Sequence, residues 1–130
     1  MCIYTYAMRP DPLLATRDCR CLAARREARV VTRIFELRLR PHQLKATQFS
    51  ALAALALKGP TPISELADFL VLERTTLTRV AAVLARNGWI RDLPAEDARH
   101  RLLGITPAGR RKVDAALPAW REAQVATAHR

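Results

Sequence analysis

A mainly α fold carrying one small β-hairpin, α+β in class, is what this chain predicts, and three observations predict it. Apolar residues recur at helical spacing through most of the 130 residues. Turn-forming residues punctuate that pattern at Pro41, Gly59–Pro60, Asn87–Gly88 and Pro107. Between Gly88 and Pro107 alone the pattern shortens to that of strands, around the charged run EDARHR at 96–101. With 50% of residues apolar, the chain can fill one core of ordinary size. The expected organisation is a flexible arm over 1–17 and a single domain over 18–130.

The elements follow in order. The first sixteen or so residues mix aromatics with Pro10 and Pro12 and hold no period, which reads as a loose arm. From Asp18 to about Leu39 a helix is expected, with Val30, Val31, Ile34, Phe35 and Leu37 on a broad apolar face and Arg26, Arg29, Arg33 and Arg40 on another stripe. A second helix from about Ala46 to Leu57 is stopped by Gly59 and Pro60. In TPISELADFL, Thr61 suits a helix cap and Pro62 the first helical position, so residues 62–70 form a short helix with Ile63, Leu66, Ala67 and Leu70 inward. After a tight turn, ERTTLTRVAAVLARNG sets Leu77, Val80, Ala81 and Leu84 inward and ends at Gly88. Two short helices so joined are a helix-turn-helix. The segments WIRDL and RLLGIT then read as strands, with EDARHR at the hairpin tip, which makes the arrangement a winged helix-turn-helix. Thr106 and Pro107 start a last helix, expected to kink near Pro118.

Charge suggests the partner. Lys and Arg number 22 against 12 Asp and Glu, a formal +10. The excess is confined to residues 17–40, with eight arginines against three acids, and 73–112, with nine basic residues against four acids. A polyanion such as nucleic acid fits this balance, as does a basic but inert surface. With its apolar residues inward, the second helix of the pair turns Arg74, Thr75, Thr78, Arg79 and Ala82 outward, and Thr76 lies among them. Arginine can bond two acceptors of guanine at once, threonine offers a hydroxyl and a methyl, and alanine permits close approach, so these types suit the major groove of double-stranded DNA. A solvated helix face is the plainer alternative. In the wing, Arg99 at the apex suits the negative potential of a minor groove, with Asp97 orienting a nearby arginine and Arg101 beside it; a charged solvated turn is again the alternative.

Other classes find little support. No Gly-rich phosphate loop, H-E-x-x-H or G-x-S-x-G occurs, and His42, His100 and His129 are scattered, which points away from catalysis. A winged helix serving RNA or protein contacts is the competing function. No run of about 18 apolar residues could span a membrane, and MCIYTYAMRPDP lacks the features of a signal peptide, so a cytoplasmic protein without membrane partner is expected. Three cysteines, Cys2, Cys19 and Cys21, do not suggest a disulfide framework, and no cofactor or metal is expected.

In order, LKATQFSALAAL, TPISELADFL, ERTTLTRVAAVLARNGWI, the D-x-R wing at Asp97 and Arg99, and LGITPAGR resemble the MarR family of bacterial transcriptional regulators over residues about 20–124. The resemblance implies a homodimer, with a DNA-binding lobe at 46–106 and dimerisation helices at 18–40 and 107–130, binding a pseudo-palindromic operator. It implies a repressor released by a small-molecule effector or by oxidation. The chain departs from the family pattern in stopping soon after Trp120. Phe35, Phe49 and Trp120 are the candidate lining of an effector pocket, and equally plain core. Cys21 stands where the family's hydroperoxide-sensing branch keeps its reactive cysteine, and Arg25 one turn on favours a thiolate. That branch places tyrosines near the sulfur, where this chain has Arg25 and Phe35, and a buried, inert Cys21 is the favoured reading.

Overall fold

The computed structural model describes residues 9–96 and 100–130. Among these residues, five α-helices, α1 (Arg20–Leu39), α2 (Ala46–Lys58), α3 (Ile63–Leu70), α4 (Arg74–Arg86) and α5 (Pro107–Thr127), accompany a three-stranded sheet of β1 (Thr61–Pro62), β2 (Ile90–Leu93) and β3 (Leu102–Ile105). The sheet is antiparallel in the order β1-β3-β2, with Thr61 opposite Leu103 and Ile90 opposite Ile105.

One core holds these elements together. Leu52 and Leu55 of α2, Leu66 of α3, Leu77 and Leu84 of α4 and Leu103 of β3 are all buried within it. Each such leucine contributes about 1.5–3 kcal/mol by leaving water. The long helices α1 and α5 pack on each other and on α2, and Arg130 reaches Glu27 at 3.3 Å to join their outer ends.

Helix termini are set by local chemistry. Gly59, at φ +77°, closes α2 with its N–H bonded to Leu55 O, and Gly88, at φ +78°, closes α4. Thr106 caps α5 as expected, its Oγ1 accepting from Gly109 N at 3.0 Å while donating to Gly88 O at 2.6 Å. Its own N–H bonds Trp89 O at 3.0 Å, so the start of α5 is tied to the exit of α4. Gly109 has no room for a side chain, because a Cβ there would overlap the Trp89 carbonyl and meet Ile105 Cγ1 at 2.9 Å.

Several expectations are corrected. Thr61 is not a helix cap: it pairs in β1, its hydroxyl donates to Gly59 O at 2.8 Å, and α3 begins one residue later, at Ile63. The Ile63 N–H is satisfied instead by Arg101 O at 2.8 Å, so the sheet does the capping. Residues Pro12–Asp18 form a 3₁₀ helix within the segment read as a loose arm, started by Pro12 and by the Asp11 carboxylate accepting from Leu13 N at 2.9 Å; none of its residues is buried. The first long helix begins at Arg20 rather than Asp18, because Cys19 Sγ accepts from Leu22 N at 3.4 Å as the cap. At Pro118, where a kink is expected, α5 continues as helix.

Candidate nucleic-acid interface

Helix α4 has two unlike sides. Leu77, Ala81 and Leu84 are buried in the core, which leaves Arg74, Thr75, Thr76, Thr78, Arg79 and Ala82 exposed, all at or near the N-terminal half of the helix. The Thr78 hydroxyl donates to Arg74 O at 2.8 Å, and its exposed oxygen can still accept a hydrogen bond. Among the described residues neither arginine of this face has a carboxylate partner. The surface therefore offers two guanidinium groups and three hydroxyls on one helix.

Beside α4 stands the hairpin of β2 and β3. Asp97 and Arg99, the residues assigned to the wing tip, lie outside the described residues. The strands below the tip are defined: Leu93 faces Leu102, and Arg101 donates from Nε to Asp92 Oδ1 at 2.9 Å and from Nη2 to Asp92 Oδ2 at 3.1 Å. The Arg101 hydrogen bonds hold the Asp92 carboxyl below its ordinary value, and the same bonds raise the Arg101 guanidinium. Arg101, grouped by sequence with the DNA-contacting residues, thus has its guanidinium engaged within the protein. Sequence reasoning misses Asp92. The signal available is the hairpin register, in which Asp92 lies opposite Leu103 and so diagonal to Arg101.

The candidate pocket residues come together. Phe49 and Trp120 stack with ring centroids 6.2 Å apart and planes 16° apart, and with Phe35 they line a cavity of about 250 Å³ between α1, α2 and α5. Across the same aromatic pair, an apolar groove of about 420 Å³ runs past Ala53, Leu57, Phe69, Val113 and Leu117. The expectation of a buried Cys21 is overturned: Cys21 and Cys19 are both exposed free thiols, in a stretch of α1 where residues 20–29 are all exposed. Among the described residues no group of three or more His, Cys, Asp or Glu side chains is placed to hold a metal ion. No helix among them is long and apolar enough to cross a membrane.

A helix-turn-helix whose second helix presents a basic, hydroxyl-rich face beside a two-stranded wing defines the class: a winged helix-turn-helix protein. The chain matches the MarR family over residues 44–100. It is 40% identical in sequence to the M. tuberculosis transcriptional regulator MosR, in a crystal structure of the complex with DNA, with a TM-score of 0.76 over 82% of this chain and 78% of that one. The chain belongs to the MarR family. A probable transcriptional regulator from Pseudomonas aeruginosa is 27% identical at a TM-score of 0.77, over 85% of this chain and 84% of that one. The HTH-type transcriptional regulator YwoH of Bacillus subtilis is 31% identical over 87 residues, 67% of this chain and 64% of the relative, so the match spans less than two thirds of that protein's length.

Proposed function

We propose that this MarR-family chain is a DNA-binding transcriptional regulator that grips a pseudo-palindromic operator as a homodimer. The observation that carries the reading is the exposed face of α4, where Arg74, Thr75, Thr76, Thr78 and Arg79 stand on a helix whose opposite side is locked in the core. Arg79 and Arg74 read base edges or phosphates in the major groove, and Arg99 enters the adjacent minor groove from the wing. MosR, the relative at 40% identity, is seen in complex with DNA, which supports the reading. Two α4 helices related by a two-fold axis would meet half-sites about one helical turn apart.

Exposed apolar side chains support the dimer. Leu13, Leu14, Leu22 and Leu37 of the N-terminal segment and α1, with Val125 of α5, stand 44–71% exposed, and a second copy of the chain would cover them through an isologous interface. The regulator acts as a repressor, and a small apolar ligand in the cavity of Phe35, Phe49 and Trp120 releases it by shifting α1 and α5 against the lobe. In the oxidant version of this release, the exposed Cys21 thiol is the sensor.

Selecting bound fragments from a pool of random duplexes tests the central reading. A symmetric site of about 20 base pairs is expected. Enrichment of no duplex, with RNA retained at the same salt, would transfer the fold to RNA. Sedimentation at micromolar concentration is expected to give a dimer, and a screen of aromatic acids, phenols and hydroperoxides is expected to find a compound that lowers DNA affinity. For the oxidant version, Cys21→Ser abolishes the response while Cys2→Ser does not.

A further inference from the structure

We infer that Arg101 and Asp92 form a clasp that aims the wing, so that Arg101 serves nucleic-acid binding as a positioning residue and not as a contact. The inference rests on the DNA-binding reading above. Three observations meet at Arg101. Its guanidinium holds both carboxylate oxygens of Asp92, at 2.9 and 3.1 Å, which ties β3 to β2 across the last pair of strand residues before the tip. Its carbonyl accepts the first N–H of α3, from Ile63, at 2.8 Å, which ties the same residue to the helix-turn-helix. The strand it leads into pairs on both edges, with β1 and with β2. One residue thus joins the wing's two strands by its side chain and the wing to the DNA-binding lobe by its main chain.

The two-pronged geometry matters here more than the charge. A planar guanidinium gripping both oxygens fixes direction as well as distance, whereas a lysine at this position would fix distance alone. Beyond its last ladder pair a two-stranded ribbon twists strongly unless a side-chain tie sets its direction. A guanidinium that retains Asp92 contributes no net positive charge to the surface, so a phosphate gains little from it. Arg74 and Arg79, which have no carboxylate partner among the described residues, remain available for that work.

The sign of one substitution separates the two roles. Asp92→Ala removes a negative charge from a surface facing a polyanion, so it strengthens binding if charge alone counts; under the clasp it weakens binding. Measured on the full chain with the selected operator duplex across a salt series, Asp92→Ala and Arg101→Gln each lower affinity about 3- to 10-fold, as expected for one exposed bidentate pair lost in each of two wings. The slope of log affinity against log salt stays at the parent value. The exchanged pair, Asp92→Arg with Arg101→Asp, recovers affinity to within about 2-fold of the parent. Tighter binding by Asp92→Ala, a slope reduced by about 1 per wing in Arg101→Gln, or no rescue by the exchanged pair overturns the clasp. If the parent chain retains no duplex at all, the DNA reading falls, and amide exchange across β2 and β3 decides the clasp separately. Exchange several-fold faster in each single variant, and restored in the exchanged pair, supports it; unchanged exchange overturns it.

Discussion

Val71 holds φ at +53° with 89% of its surface exposed, in the turn between α3 and α4. A β-branched side chain is strained in this left-handed region, yet the turn requires it: Val71 N bonds Asp68 O at 3.1 Å and Leu72 N bonds Ala67 O at 2.9 Å, closing α3. Because the side chain packs on almost nothing, Val71→Gly is expected to stabilise the fold by about 1 kcal/mol, read as a higher urea midpoint at unchanged slope. Asp92 offers a second residue-scale test. The Arg101 hydrogen bonds hold its carboxyl below the ordinary value of 3.8, so the pair's stabilisation is complete above that value and is lost as pH falls through the lowered folded value. Since both side chains are well exposed, at 37% and 56%, the contribution is under about 1 kcal/mol. Acid unfolding curves of Asp92→Asn and the parent should therefore converge at low pH and separate above it; constant separation at every pH would contradict the pairing. Arg101 also shows what residue-scale reading of a sequence lacks. Its charge is legible, but whether that charge faces solvent or a carboxylate depends on strand register.

At the scale of elements, the exit of α4 and the start of α5 meet with no space for a side chain at Gly109. Gly109 lies against the Trp89 carbonyl, so Gly109→Ala must push α5 off the lobe, at a cost of about 2–3 kcal/mol, measurable by thermal unfolding. The wing and α4 are separable by their salt dependence. Arg99→Ala is expected to weaken all duplexes and lower the salt slope by about 1 per wing, while Arg79→Ala costs about 1–3 kcal/mol on the operator and little on random duplex. Equal losses on both duplexes for Arg79→Ala would remove its base-reading role. Helix ends are legible in the sequence wherever backbone geometry demands a special residue: Gly59, Gly88 and the Thr106–Pro107 pair mark three of them. Strand β1 is not legible, because two residues are too few to show alternation and Thr61–Pro62 reads equally well as a helix start. The 3₁₀ helix at Pro12–Asp18 is hidden for a different reason: with no residue buried it carries no apolar period. Of the candidate interface, the α4 face follows directly from Leu77, Ala81 and Leu84 pointing inward, since in a helix the outward set is the remainder.

Over the whole molecule, charge is unevenly compensated. Arg20, Arg25, Arg26, Arg29, Arg33 and Arg38 along α1, and Arg40 just past its end, have no carboxylate within salt-bridge distance among the described residues, so they repel one another within a chain of formal charge +10. Raising salt from about 0.05 to 0.5 M shortens the screening length several-fold and should raise the melting temperature of the free protein by a few degrees, even as it weakens binding to DNA. A melting temperature that falls with salt would mean that favourable pairs dominate instead. The doubled fastening of Thr106 to Gly88 and Trp89 has a mechanical result at this scale. Helix α5 is 21 residues, or about 31 Å, long and is fastened where it meets the lobe, so a rotation of it would act as a crank arm on the proposed DNA-reading helix. Tilting it by about 10° about its far end displaces that joint, and α4 with it, by about 5 Å, the pitch of one α-helical turn. A displacement of that size would carry an arginine from one base pair to beyond its neighbour, so a small rotation at the top of the molecule is enough to take the reading head out of register.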